Sequence, residues 1–385
     1  MVSGAEEGLR SELEHMPLVD HHVHGALRVP LDRARFERTI TESDRAPAAG
    51  VSTFDSQIGF AILRWCPAVL DLEPRCSPGE YLARRSELGP EEVNRKFLSG
   101  IEAGWFLVDT GFAADELLDV EGMTAAAGGS TQAGEIVRLE SIAEEAARDG
   151  VGSTEFADAV RTRLQGRLEA GGVGTKSVIA YRCGFGIDTS RPAEAAVAGA
   201  AGPLLGAAEA GDPVRVSDPI LEAFLLWTGI DAGVPLQIHV GFGDSDLRLH
   251  EANPSLLTDF IKESEPSGTP IMLLHCYPYH REAGYLAHIY PNVYFDVGVA
   301  VNYTGSQSRH LVAESFEVGP FGKQVYSSDA WGPAELHYLG AVLWRRAVAS
   351  VLGGWVADGD WSGENAERVA RMVGFETATR LYGLG

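Results

Sequence analysis

Apolar residues gather along this chain in short runs rich in β-branched and aromatic types, and helical or loop-like sequence separates the runs. Eight such runs stand out: MPLVDHHVH from Met16, GWFLVDTG from Gly104, GEIVRLE from Gly134, VGTKSVIAYR from Val173, VPLQIHVGFG from Val234, PIMLLHCYP from Pro270, NVYFDVGV from Asn292 and KQVYSSDA from Lys323. Several are apolar almost without interruption, as strands covered on both faces are. Strands alternating with helical stretches imply parallel pairing through crossovers, and eight of them predict an α/β fold of the (β/α)8 barrel type. Helix signals fall in the gaps. Ser217 and Pro219 open an apolar segment to Ile230, Asn253 and Pro254 form a cap and first turn for LLTDFIKES, Arg281 to Tyr290 reads as a helix stopped by Pro291, and Ser362 caps a final helical region ending near Tyr382. Ala/Gly-rich stretches at 122–134 and 192–211 read as loops and a small-residue helix.

A barrel needs about 250 residues, and most of the excess lies at 25–103, between the first two runs. That stretch is too long for a simple connection and carries helical patches, which predicts an insertion over the barrel mouth. Residues 1–385 are accordingly expected to form a single domain.

Composition narrows the partners. The 385 residues are 45% hydrophobic and 22% charged, enough to bury a substantial core. Asp and Glu number 54 against 31 Lys and Arg, a formal charge of −23, which repels phosphate backbones and anionic lipid. The expectation is a small-molecule ligand, without nucleic acid or membrane; a homo-oligomer is compatible with it. The four cysteines form no C-x-x-C pair and are expected as reduced thiols. MVSGAEEGLRSELEH has no basic start followed by an apolar run, and no apolar stretch approaches the ~20 residues of a membrane span, so a cytoplasmic protein is expected.

Chemistry concentrates at the ends of the runs. His22 and His24 form an H-x-H, and alternate positions on a strand face the same way, so both imidazoles can reach one metal ion. His239 closes LQIH, His275 closes MLLH and Asp329 closes VYSSD, each ending an otherwise apolar run. Active sites of these barrels occupy that face, where strand ends and the following loops converge. Tyr181 and Arg182 follow the fourth run, and His280 and Arg281 follow the sixth; these are the candidate substrate-binding residues. A planar guanidinium suits bidentate capture of a carboxylate, although either arginine could instead pair with one of the many acids. The loop with Asp244, Asp246 and Arg248 could orient substrate or simply be solvated. GGVGTK lacks the spacing of a phosphate loop.

D-x-H-x-H at Asp20 to His24, with a lysine on the fourth run, His239, His275 and Asp329, resembles the metal-dependent amidohydrolase superfamily. Within it the sequence is most similar to the barrel fused to glutamine synthetase in FluG-type and nodulin-type proteins, through KSVIAYRCGF, IHVGFGDSDLRLHEANP, LLHCYPYHREAGYLAHIYPNVYFDVGVAV and YSSDAWGPAELHYLGA. The similarity spans roughly Leu18 to Tyr382. It departs in two ways: too little chain follows Asp329 to hold a glutamine-synthetase portion, and His280 stands where similar sequences often carry a small hydroxyl residue.

The resemblance implies a divalent metal site, one or two ions, of His22, His24, Lys176, His239, His275 and Asp329, with zinc the leading expectation and manganese or iron the alternatives. Asp329 and His275 are the implied catalytic residues; His275 either ligates a second ion or polarises a substrate carbonyl. Lys176 bridges two ions if carboxylated, and otherwise pairs elsewhere as an ammonium. The expected activity is hydrolysis of an amide-type C–N bond, not a peptide bond, in a small carboxylate-bearing substrate. A lyase (decarboxylase) or isomerase using the same site is the first alternative, and a non-catalytic barrel module the second.

Overall fold

The structure is a computed structural model and describes residues 4–385. The N-terminal reading therefore rests partly on Met1 to Ser3, which lie outside the described residues; from Gly4 the chain forms a helix, Gly4–Glu14. Seven parallel strands follow in sequence order around one curled sheet: β1 (Leu18–Val23), β2 (Ala103–Asp109), β3 (Gln132–Arg138), β4 (Gly172–Ser177), β5 (Leu236–His239), β6 (Ile271–Leu274) and β7 (Val293–Phe295). They coincide with the first seven apolar runs. Their fully buried faces explain the near-continuous apolar sequence: helices cover the outside, and Leu107, Ile136, Met272 and Leu274 pack with Tyr294 and Tyr382 in a cluster of their own.

The eighth run is corrected by the structure. Residues 324–330 form no strand ladder, although they still bridge β7 and β1. Val325 N donates to Phe295 O at 3.2 Å on one side; on the other, His21 N donates to Tyr326 O at 3.2 Å, Asp329 N to His22 O at 3.1 Å and His24 N to Ala330 O at 2.8 Å. The cause is local. Ser327 Oγ accepts from Asp329 N and Ser328 Oγ from Ala330 N, both at 3.1 Å, so these hydroxyls compete with sheet partners. Asp329 itself is left-handed, with φ 49°, which no regular strand accommodates.

Helix ends follow their caps. Asp218, one residue beyond the expected Ser217, caps Pro219–Asp231 through Ile220 N; Asn253 caps the turn Pro254–Leu257; Ser362 caps Gly363–Arg371. The 192–211 stretch is the helix Glu194–Ala210, and Val120–Ala127 is helical where loop was expected. Cys66, Cys76, Cys183 and Cys276 are free thiols. Among the described residues no helix is long and apolar enough to cross a membrane.

The long segment between β1 and β2 divides in two. Its early part, with helix Arg33–Thr39, brings Leu27, Arg38 and Glu42 to the cavity at the strand ends. Its later part, with helices Gln57–Trp65 and Pro78–Ser99, packs against the outer helix Ala334–Ala357. Residues 25–103 are thus only partly a cover for the mouth.

Candidate metal centre

The C-terminal ends of the strands open into a cavity of about 530 Å³, whose lining includes His24, Lys176, His239, His275 and Asp329. His22 lies just beneath, fully buried. Its Nε2 is 3.2 Å from Asp329 Oδ1 and 3.2 Å from Lys176 Nζ, and one ring nitrogen each of His22 and His275 with an Asp329 oxygen form a group that could hold a metal ion. The His22 ring centroid is 5.3 Å from that of His24 and 5.2 Å from that of His275, and His275 is 4.9 Å from His239.

Partners on the far side of each ring assign its tautomer. His22 Nδ1 donates to Gln237 Oε1 at 2.7 Å, and His24 Nδ1 donates to the carbonyl of Asp109 at 3.0 Å. Both rings thereby turn an Nε2 lone pair toward the site. Burial holds His22, His239 and His275 well below the ordinary imidazole range and His24 at about 4, so all four are neutral bases ready to donate electron pairs.

Three of these nitrogens have nothing to bind. His239 Nε2 and both ring nitrogens of His275 are buried without a hydrogen-bond partner, and an unmet buried polar atom costs about 1–3 kcal/mol. His275 Nδ1 lies 3.4 Å from Asp329 Oδ2. A cation among these atoms removes the penalty, and neutral imidazoles with a carboxylate are a donor set for a transition-type divalent ion. The residues therefore fit the metal that the resemblance implies.

Backbone strain marks the same positions. His275 and Asp329 both have positive φ, 64° and 49°, without being glycine, a strain of about 1–3 kcal/mol that neighbours must hold in place. Asp296 Oδ1 accepts from His275 N at 2.9 Å and from Gly298 N at 2.6 Å, while its Oδ2 pairs with His21 Nε2 at 2.9 Å. Asp20 does similar work for Asp329: its Oδ1 accepts from Ser328 N at 2.8 Å, and burial raises its pKa to about 8. In D-x-H-x-H the aspartate thus ties β1 to the closing segment.

Burial lowers Lys176 to about 8, against the opposing pull of Asp109 and Asp329. Burial likewise pushes the Asp329 carboxyl well above the usual range, with Lys176 pulling it back. Tyr181 lies over His239, ring centroids 4.4 Å apart, and lines the cavity. Arg182 also lines it, but its Nη2 donates to Glu144 at 3.3 Å. Asp244 and Asp246 reach the cavity, whereas Arg248 pairs with Glu251.

The structure does not bring His280 or Arg281 to this cavity. His280 Nε2 bonds Glu314 at 2.9 Å, and Arg281 grips Glu317 through two bonds of 2.9 and 3.0 Å, because the helix His280–Ile289 aims its first turn at the helix Ser308–Ser315 and the residues just after it. In their stead it presents residues that sequence reasoning missed. Arg138 ends β3 and forms a buried pair with Asp109, which ends β2, at 2.7 Å; the strand-end rule that picked out His239 applied equally to both. Gln237 alternates with His239 on β5, a signal of the same kind. Arg38 carried no local signal: it lies on the inserted helix at the cavity and has no ion pair among the described residues.

Comparison with known proteins follows the same lines. A family model described as amidohydrolase matches residues 181–384. Protein fluG of Emericella nidulans is 33% identical over 224 residues, 55% of this chain but 26% of that protein, so the match spans about a quarter of the relative's length. A Lactobacillus casei protein described as a metal-dependent hydrolase superposes with a TM-score of 0.84 at 27% identity, covering 97% of each chain. The uronate isomerase of Bacillus halodurans shares the fold, with a TM-score of 0.70 at 12% identity over 100% of this chain and 98% of its own.

Proposed function

The chain belongs to the amidohydrolase family, and from that premise we propose that it is a metal-dependent hydrolase cleaving the C–N bond of a small carboxylate-bearing substrate. The observation that carries this reading is the set of buried, neutral imidazoles around Asp329, three of whose nitrogens are unmet beside a cavity. His22, His24, His239, His275 and Asp329 would hold the ion, zinc by the nature of the donors and manganese or iron as alternatives. When bound, the ion supplies Lewis acidity and a water acidified toward neutrality.

The protein's residues supply the rest. Asp329 accepts the proton of the attacking water as its oxygen joins the carbonyl carbon, then returns it to the leaving nitrogen as the C–N bond breaks, so the amine departs neutral and the acid product keeps the oxygen. Any of the histidines not engaged by the ion polarises the carbonyl oxygen, and His275, with two unmet nitrogens, is best placed to do so. Lys176 balances Asp329 as an ammonium or, carboxylated, holds a second ion. Arg38, which has no ion pair among the described residues and lies at the cavity, receives the substrate carboxylate.

The test is metal analysis of the purified protein, followed by turnover of N-acyl amino acids and sugar acids scored separately for amine, CO2 and isomer. One or more divalent ions per chain and released amine are expected, with the ion lost from a folded His22→Ala/His24→Ala variant. A stoichiometry of two with added mass on Lys176 gives the carbamate; one ion leaves the lysine an ammonium. Release of CO2 or an isomerised sugar acid, without amine, would replace hydrolysis by the lyase or isomerase chemistry.

A further inference from the structure

A second cavity, about 1130 Å³, lies between the helix Gln57–Trp65, the turn at 305–309 and the outer helix Ala334–Ala357. It shares no lining residue with the metal cavity. Arg10, Arg64, Arg75, Arg309 and Arg346 line it, and Glu6 is the one acid among its described lining residues. In a chain with 54 acids and 31 bases this inverts the surrounding balance. Glu6 is already bonded to Arg10 at 3.1 Å. Arg64, Arg75, Arg309 and Arg346 form no ion pair among the described residues, and Arg10 Nε is buried without a partner.

The groove is organised as well as charged. Trp65 is flanked by the guanidiniums of Arg64 and Arg346, each 4.3 Å from a ring centroid, which fixes two forks that would otherwise wander. Arg346 is half-buried, and its burial together with Arg10 and Arg64 pulls its pKa down. Such positive crowding costs free energy that an anion would offset. Ser308 and Ser350 add hydroxyls to the lining, and exposed Phe60 provides an apolar wall.

We propose that this groove is a binding site for a small organic polyanion, one carrying two or more carboxylate or phosphate groups. The guanidinium forks recognise both acids bidentately. Size is limited by the rest of the molecule: at −23 overall, a long polyelectrolyte or an anionic membrane meets repulsion beyond the groove, whereas a small ligand stays within a Debye length of about 8 Å of the arginines. A two-fold pairing of this face with a second copy would bring the arginines against one another.

Calorimetric titration of the full-length, metal-loaded protein with tricarballylate and with fructose 1,6-bisphosphate, each against acetate, tests the site and separates its carboxylate and phosphate forms. Saturable binding of at least one probe is expected, weakened about tenfold or more by Arg64→Gln/Arg346→Gln and unaffected by Arg38→Gln in the other cavity. Because Arg346 packs on Trp65, Arg75→Gln/Arg309→Gln, both at exposed positions, provides a second variant with the same expected weakening. The proposal is overturned by the absence of saturable binding of either probe at millimolar concentration. It is equally overturned by affinity unchanged in both double variants, or by self-association lost in those variants without anion binding.

Discussion

Two clusters of buried charged and polar groups approach within six residues of each other along the sequence, at Asp329 and Glu335, and only one has the makings of a catalyst. In the first, Arg85 Nε donates to Glu335 Oε1 at 2.7 Å, Arg85 Nη2 to Oε2 at 3.4 Å, and Tyr81 OH to Oε1 at 3.0 Å. Every oxygen of that carboxylate is met, and the group clamps the inserted helix Pro78–Ser99 to the outer helix Ala334–Ala357. In the second, around Asp329, imidazole nitrogens are buried but unmet, and a cavity adjoins them. Burial of charge therefore does not identify function; unmet bonding capacity facing open space does. His337 links the two, sitting two residues after Glu335 and donating from Nε2 to the carbonyl of His24 at 2.9 Å.

The largest effect that can break this contrast is on chemistry. Asp329→Asn keeps an oxygen in place but cannot hold the proton, and should lose about 10²- to 10⁴-fold in turnover with little change in substrate binding. Steady-state kinetics decides it, and normal turnover would remove Asp329 as the proton acceptor. The satisfied cluster should answer in stability instead. Arg85→Met leaves Glu335 buried without its counter-charge and bonded by the Tyr81 hydroxyl alone, a loss of about 3–5 kcal/mol in urea denaturation, while activity per folded molecule stays near wild type. If that variant lost turnover without losing stability, the division between the clusters would fail.

Smaller effects sharpen the picture. Arg38→Gln should raise KM for a carboxylate-bearing substrate about tenfold and leave kcat nearly unchanged, since a contact made equally in the ground and transition states affects binding alone. An equal fall in kcat would move Arg38 into the chemical step. The least is expected of Ser77→Ala, which removes the capping box that Ser77 and Glu80 form at the start of Pro78–Ser99. Thermal melts should show about 1 kcal/mol lost and the metal content unchanged.

Seven strands, the parallel order and the gathering of His22, His24, His239, His275 and Asp329 at the strand ends were legible in the sequence because each depends on short-range pattern. Apolar runs of strand length mark strands covered on both faces, and a polar residue closing such a run marks the rim of a barrel, whatever the rest of the chain does. The alternation of His22 and His24 on one strand is likewise fixed by backbone geometry. What only the tertiary structure decided depends on partners distant along the chain. The eighth run has a strand's composition, but Asp20 and the serines at 327 and 328 divert its hydrogen bonds. Arg281 has the chemistry to hold a carboxylate, yet Glu317 grips it away from the cavity, and Arg182 lines the cavity but gives its Nη2 to Glu144, whereas Arg38 has no ion pair among the described residues and lies on an inserted helix that folding brings to the cavity. Sequence lists the charges; which are neutralised, and which are left facing a cavity, is set by the packing of elements far apart along the chain.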